Sequence, residues 1–382
     1  MKKVLLVGSS FNVMPLLKVL RNADIEVVVC GIYKNDPLHQ YADDSIYADY
    51  SIKEDLLEVL KNNQFDAIVP TCNDYSYISC SWVASQLGFG GFEPYEITKT
   101  IHEKDDFRKF CNVNGIKSPQ MFSDSTDVKE QNYPLIVKPI DSFSGKGIST
   151  AKTPEELDVA IERAKRASRT NKIIIEEFKQ GTLHAITVFI ENGKAKLSFV
   201  TDEFCSVYPY QVNSTCMSFL SEDTKENIFQ EIAKIVYLLD LKSGLMHVQF
   251  LVDGENFWII ECTRRAPGDL YGKLIKLTTG IDYDELYVNN FLGKTEVPKN
   301  EYTVDKIMSK HTLTTDLEGV IESITFKIPC HNTFIPLKNS CDVIKSAPFD
   351  RAGIVFSEYQ TNEELKKTIP EIHNLIEFNY YA

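Results

Sequence analysis

The run Trp258-Ile259-Ile260-Glu261-Cys262-Thr263-Arg264-Arg265-Ala266-Pro267-Gly268-Asp269 carries an apolar strand into a carboxylate, a hydroxyl, two guanidinium groups and a turn. Core strands rarely end this way for packing alone. Side chains alternate along a strand, so Glu261, Thr263 and Arg265 share one face. Residues 247–252 read as the partner strand, in a hairpin around Asp253-Gly254, and they carry Gln249. A plain two-residue Asp253-Gly254 turn puts Gln249 and Glu261 on opposite faces, whereas an odd-length loop or a bulge brings them together. We expect the odd loop. A carboxylate and an amide oxygen are hard ligands of the kind magnesium takes, with phosphate oxygens and waters completing its shell. Arg265 has the planar fork that grips a carboxylate or a phosphoryl group by two parallel bonds.

Three upstream segments bring further chemistry. Pro134-Leu135-Ile136-Val137-Lys138-Pro139 is a buried strand with one lysine, and an unpaired buried ammonium is costly, so Lys138 needs an anion. The following loop, Ser142-Phe143-Ser144-Gly145-Lys146-Gly147, is built from small residues whose backbone N–H groups can approach phosphate oxygens. It is not a Walker A sequence, and a flexible hairpin with a surface lysine fits the same residues. Ile173-Ile174-Ile175-Glu176-Glu177-Phe178 is an apolar strand ending in carboxylates, followed by Gly181. Its backbone suits the edge of an adenine, with Phe178 against the ring; a strand simply leaving the core is the bland alternative. His184 is placed to bond ribose hydroxyls, although a lone histidine is more often structural.

The elements that must hold these groups are legible from periodicity. Residues 4–7, 26–32 and 65–70 read as buried strands, and 12–21 as a helix with Val13, Leu16, Leu17 and Leu20 on one face. Ser51-Ile52-Lys53-Glu54 reads as a capping box opening a helix through Lys61. Together they make a small parallel α/β unit. Its Gly8-Ser9-Ser10 turn hints at dinucleotide binding, but no G-x-G-x-x-G is present. Residues 96–113 read as one helix, 154 onward as a helix capped by Thr153, and 224–239 as an amphipathic helix. Residues 185–189 and 194–200 form a hairpin around Asn192-Gly193. After about residue 298 the pattern is mostly β, closing with a helix capped by Thr361-Asn362-Glu363-Glu364.

Composition narrows the function classes. The 382 residues suffice for two or three domains, and 43% hydrophobic with 25% charged residues is a globular balance. A net charge of −13 argues against nucleic acid or an anionic membrane as the main partner. The nine cysteines include no C-x-x-C pair and fit neither a zinc site nor a disulfide framework, so reduced thiols in a cytoplasmic protein are expected. The apolar stretch after Lys2-Lys3 is too short for a signal sequence, and no run is long enough to span a membrane.

Taken together, the order and spacing of the four segments resemble the ATP-grasp superfamily over roughly residues 1–300. The carbamoyl-phosphate-synthetase-like and biotin-carboxylase-like members are nearest in pattern, especially the amino-acid and peptide ligases. The resemblance implies an α/β chain: a parallel α/β domain over 1–93, an ATP-grasp domain over 94–298 with a mobile lid at about 119–181, and a C-terminal β-rich α+β domain over 299–382. It implies that Lys104 and Lys138 contact ATP phosphates under the loop of Ser144, Gly145 and Gly147. Glu176 and Phe178 then form the adenine hinge and His184 meets the ribose. Gln249, Glu261 and Thr263 hold metal, and Arg265, with Lys138, is catalytic toward substrate and acyl phosphate. Two positions depart from the family pattern: Thr263 stands where asparagine is usual, and Gln249 where many members have glutamate.

The implied activity is a two-step ligation using ATP and Mg2+, with Mn2+ able to replace it. A carboxylate, such as an amino acid or similar small acid, is phosphorylated, and an amine then displaces phosphate. ADP and phosphate are released. The implied partners are these small molecules, not nucleic acid or membrane, and a homodimer is left open. An ATP-dependent carboxylase activating bicarbonate is one alternative, although no biotinyl-carrier segment is visible. A nucleotide-binding module without ligase activity, or a redox protein using the Gly8-Ser9-Ser10 turn, is the other. Specificity is expected from Arg264 and the Pro267-Gly268-Asp269 turn. Tyr208, Tyr210 and Gln211 are either pocket residues or plain surface.

Overall fold

The computed structural model describes residues 1–142 and 144–381. The chain opens with a four-stranded parallel sheet in the order Asp44–Ile46, Glu26–Cys30, Lys3–Val7, Ala67–Pro70. Val4, Leu5, Leu6 and Val7 are buried on both faces, as continuous apolar strands of a covered parallel sheet must be. Helices Met14–Asn22, Lys53–Asn62 and Asp74–Leu87 flank the sheet. The Ser51 capping box does not form: Ile52 takes the cap position, and the Ser51 hydroxyl donates to Asp49 Oδ1 at 2.7 Å. Asp49 captures the serine locally, in competition with the helix end.

Helix Asp74–Leu87 is not announced by the sequence, because Ser76, Tyr77, Ser79, Cys80, Ser81, Val83 and Ala84 are all buried and no polar stripe is left to read. Asn73 caps it, accepting from Tyr75 N at 2.9 Å, and Asp74 becomes its first residue.

The helix expected over 96–113 is two helices, Tyr95–His102 and Lys104–Asn114, separated by Glu103 in extended conformation. Ile101 and Phe107 are six residues apart where a continuous helix would repeat near seven, and that slip is the trace of the break. The break makes Lys104 the first residue of a helix.

A second four-stranded sheet, in the order Met121–Phe122, Ile173–Glu177, Leu135–Pro139, Ser149–Ala151, is backed by helix Pro154–Ala167. Thr153 caps that helix as expected, accepting from Glu156 N at 3.3 Å. Leu157, Ala160 and Ala164 pack against Leu135, Val137 and Ile175 in a core of their own.

The largest element is an eight-stranded sheet whose pairings are antiparallel throughout. Its order is Asn256–Thr263, Gly244–Asp253, Thr182–Glu191, Lys194–Phe204, Ser214–Met217, Ile307–Leu313, Gly353–Tyr359, His331–Pro336. This ladder crosses residue 298, because Ser214–Met217 pairs with Ile307–Leu313. Helix Glu222–Leu238 buries Ile228, Ile232, Ile235 and Val236 against the strands, each worth about 1.5–3 kcal/mol by transfer from water. A three-stranded sheet, Val343–Ile344, Gly319–Phe326 and Ile376–Tyr380, completes the chain. The capping box of Thr361 and Glu364 is present. All nine cysteines are free thiols. Among the described residues, no helix is long and apolar enough to cross a membrane.

Candidate active site

A cleft of about 2160 Å³ is lined by residues of all three larger sheets and of the loops at their ends. Gly8, Asn73 and Asp74 come from the carboxyl ends of the parallel strands, where open α/β sheets present their loops to ligands. Lys138 and Glu176 come from the second sheet, and Gln249, Glu261, Thr263 and Arg265 from the eight-stranded one.

Gln249 lies directly opposite Glu261 in the ladder, but not by the expected odd loop. Asp253 pairs with Asn256, so the loop is the two-residue Gly254-Glu255, an even turn that alone would pair Gln249 with residue 260. A bulge between Gln249 and Phe250 on one strand and Ile259 and Glu261 on the other moves the register by one residue. Glu261 Oε1 lies 3.1 Å from Lys104 Nζ, and Lys104 also donates to Ser142 O at 3.2 Å. Burial pulls the Lys104 ammonium down, but Glu261 outweighs it and the net shift is upward. Gln249 Nε2 donates to Glu203 Oε2 at 2.6 Å, which leaves the amide oxygen for the Glu261 side. Glu203 is a cleft carboxyl that sequence reading missed; burial pushes it up to about 7.

Thr263 sits beside this pair with its hydroxyl engaged: it donates to Asp74 Oδ1 at 3.2 Å and accepts from Arg265 N at 3.3 Å. Arg265 Nη2 bonds Asp74 Oδ2 at 2.8 Å, while its buried Nε has no partner among the described residues. His102, fully enclosed and stacked on Tyr77, bonds the same Asp74 at 3.1 Å. Burial alone would raise the Asp74 carboxyl, but Arg265 and His102 hold it well below the usual carboxylate range. Asp74 therefore orients Arg265 from the first residue of a helix that follows the parallel sheet, and no local pattern in the sequence reveals it.

Arg264 departs from the expected specificity role. It points to the opposite face, is fully buried, pairs with Glu93 and donates to Lys242 O at 3.1 Å and Ser243 O at 3.2 Å. The strand ends at Thr263, and one residue beyond it Glu93 with the two carbonyls holds Arg264 away from the cleft that Thr263 and Arg265 line.

Lys138 has the anion it needs: its Nζ lies 2.6 Å from Glu176 Oε2. The other carboxylate oxygen takes Arg108 Nε at 2.5 Å. Burial raises the Glu176 carboxyl, yet Arg108 and Lys138 together hold it at about 2. Arg108 also donates to Ile259 O at 2.8 Å and Ile260 O at 2.9 Å, pinning the bulge beside Glu261. Arg108 went unread although it stands one helical turn after Lys104, on the same face. Phe178 lines the cleft half-buried, and its N–H donates to Pro134 O at 3.1 Å.

Of the loop 142–147, Phe143 lies outside the described residues. Ser144 and Gly145 line the cleft with φ of 60° and 72°. Gly147 has φ 77° and anchors the loop; a Cβ there would sit 2.4 Å from Ala167 Cβ and 2.9 Å from Pro139 Cγ. Gly147→Ala is expected to displace the loop at a cost of about 1–3 kcal/mol, read as a KM for ATP raised about tenfold or more. His184 does not line the cleft: Asp202 and Thr182 hold its two ring nitrogens, each at 2.7 Å, and Phe250 stacks on the ring. Its side chain is a satisfied core group, not a free donor for a ribose.

Comparison with known proteins adds to this geometry. Residues 131–272 match the family described as the ATP-grasp domain. A formate-dependent phosphoribosylglycinamide formyltransferase of Prochlorococcus marinus (strain MIT 9515) is 25% identical over 370 residues, covering 92% of this chain and 90% of the relative. An L-amino acid ligase from Bacillus licheniformis superposes with a TM-score of 0.81 at 16% identity, over 100% of this chain and 99% of that one. A phosphoribosylglycinamide synthetase from Anaerococcus prevotii does so with a TM-score of 0.76 at 18% identity, over the whole of both chains. At such identities the two superpositions establish a shared fold.

Proposed function

From the match of residues 131–272 to the ATP-grasp domain we propose that the chain is an ATP-grasp enzyme, an ATP- and magnesium-dependent ligase joining a small carboxylic acid to an amine through an acyl phosphate. The observation that carries this reading is the convergence in one cleft of Lys104 on Glu261, Lys138 on Glu176, Gln249 opposite Glu261, and Arg265 with a buried Nε that has no partner among the described residues. The donor set suits one magnesium ion, since Glu261 is half exposed and the Gln249 amide oxygen has no hydrogen bond among the described residues. The engaged Thr263 hydroxyl argues for a smaller metal set than Gln249, Glu261 and Thr263 together. Bound there, magnesium would neutralise phosphate charge during transfer.

The residues do the rest by position and charge. Lys104 and Lys138 meet the phosphates of ATP, and the backbone of Ser144 and Gly145 covers them. The chain around Phe178 takes the adenine. Arg265, aimed by Asp74, grips the acid and then its acyl phosphate. The acid's oxygen attacks the terminal phosphorus and ADP leaves. The amine nitrogen then attacks the acyl carbon, a C–N bond forms, and the C–O bond to phosphate breaks. Inorganic phosphate leaves with the bonding pair, and the nitrogen's proton passes to solvent. Residues 119–181 close over ATP as a lid and keep water from the acyl phosphate.

A second reading follows the full-length relative: formate as the acid and a phosphoribosylglycinamide as the amine. One experiment tests both. A panel of acids that includes formate and bicarbonate is incubated with ATP, Mg2+ and hydroxylamine, and phosphate and hydroxamate are measured. We expect one acid to give hydroxamate matching the phosphate released. ATP binding with neither product from any acid would refute the ligase and favour a binding module. Phosphate release with bicarbonate alone would favour a carboxylase.

A further inference from the structure

One row of the eight-stranded sheet holds polar groups that the nucleotide chemistry does not use. Glu203 pairs with Thr215 across the ladder, and Thr215 with Lys310. Cross-strand partners share a face, and three strands at their usual spacing of about 4.8 Å set the row roughly 10 Å long. All three residues line the cleft, with exposures of only 7%, 1% and 4%. Thr215 Oγ1 has no hydrogen-bond partner among the described residues, and neither has Oε1 of the neighbouring cleft residue Gln211. Lys310 has no carboxylate within 4.0 Å among the described residues, whereas Lys138, the other buried lysine of the cleft, has Glu176. Buried polar groups left unsatisfied are costly and rare. The unpartnered Thr215 Oγ1 and Gln211 Oε1, together with a buried lysine that has no carboxylate beside it among the described residues, point to a ligand that supplies the missing partners.

We propose that Glu203, Thr215 and Lys310 seat the acceptor of the ligation, and that the acceptor is a small amino acid whose carboxylate meets Lys310 and whose amine lies at Glu203. The proposal rests on the ligase reading and deepens it. Direction follows from the neighbours: Glu203 is held by Gln249, which lies opposite Glu261, so the amine end of the row adjoins the acyl phosphate. Charge follows from counting. The nearby cations Arg351 and Lys338 are paired with Asp269 and Asp350, and Lys273 lies over the Phe356 ring, so the row itself presents one cation without a carboxylate among the described residues, Lys310. That matches a monoanionic carboxylate better than a phosphate dianion. Burial pulls the Lys310 ammonium down against the attraction of Asp269 and Glu203, as fits a cation still lacking its counter-ion.

Binding is measured by calorimetry on the full chain with ATP and Mg2+ present, using L-amino acids, their α-carboxamides and phosphoethanolamine as probes. At least one L-amino acid is expected to bind, and its carboxamide at least thirtyfold more weakly. In Lys310→Met, the ratio of amino-acid to hydroxylamine turnover falls at least thirtyfold, because hydroxylamine has no carboxylate to place. Thr215→Val, nearly isosteric, raises the acceptor KM about fivefold. Melting temperatures report folding, and Lys310→Met is expected to melt no lower than the parent because it removes a buried unpaired charge. Equal binding of acid and carboxamide, tighter binding of phosphoethanolamine, or undiminished amino-acid binding by Lys310→Met would each overturn the proposal. Failure of every acid to yield hydroxamate would overturn the ligase reading instead, while the binding comparison still decides the seat.

Discussion

Arg265→Ala is expected to lower kcat/KM for ligation by about 10²–10³-fold, the usual loss when one preorganised charge donor is removed from a transition state. The expectation follows from how the side chain is held. Nη2 is tied to Asp74 at 2.8 Å and Nη1 donates to Ala266 O at 3.3 Å, while Nε is buried without a partner among the described residues. The guanidinium is thus fixed before substrate arrives, with a donor to spare. The fold should survive, because Asp74 keeps His102 and the Thr263 hydroxyl. Arg265→Lys should recover only a small part of the rate, since an ammonium keeps the charge but loses the planar fork. Phosphate release and hydroxamate yield read both variants. Turnover in Arg265→Ala equal to the parent's would remove Arg265 from the reaction.

Glu176→Gln carries the largest expected loss of stability. The carboxylate neutralises two cations, Lys138 at 2.6 Å and Arg108 at 2.5 Å, with almost no solvent access. Leaving a buried charge uncompensated costs about 3–5 kcal/mol, and the glutamine would strand two. The pH dependence has a defined sign. The carboxyl is depressed to about 2 in the folded protein, against an ordinary value of 4.5. Its contribution, roughly 3 kcal/mol, is therefore complete above pH 4.5 and is lost as pH falls toward 2. Melting temperatures of parent and variant should differ most near neutrality and converge in acid. A variant that melts with the parent at pH 7 would contradict this. Arg108 also anchors Ile259 O and Ile260 O, so Glu176→Gln should further weaken metal-dependent turnover by loosening the bulge beside Glu261.

The same two residues show how far local pattern reaches. Lys138 on an apolar strand demands an anion, and in the sequence Glu176 is marked only by its place at the end of another apolar strand. That the two meet depends on antiparallel pairing of Ile173–Glu177 with Leu135–Pro139, a contact between segments more than thirty residues apart. Likewise, Gln249 and Glu261 share one face, but by a bulge that supplies the odd residue and not by an odd loop, since the turn is even. A bulge is selected by ladder bonds and by Arg108 from a distant helix, so nothing in the hairpin's own residues announces it.

What the sequence determined by itself is what short-range physics governs. It set the alternation placing Glu261, Thr263 and Arg265 together, the capped helices at Thr153 and Thr361, the apolar runs of the parallel sheet, and the glycine loop. Those depend on a residue and its near neighbours. What only the tertiary structure decided is which charges face one another. Asp74 on Arg265, Arg264 turned inward to Glu93, His184 satisfied by Asp202, and the row of Glu203, Thr215 and Lys310 all join residues from separate elements. Electrostatic and hydrogen-bond partners act over a few ångströms of space, and chain order does not encode that distance until the sheets have set their register.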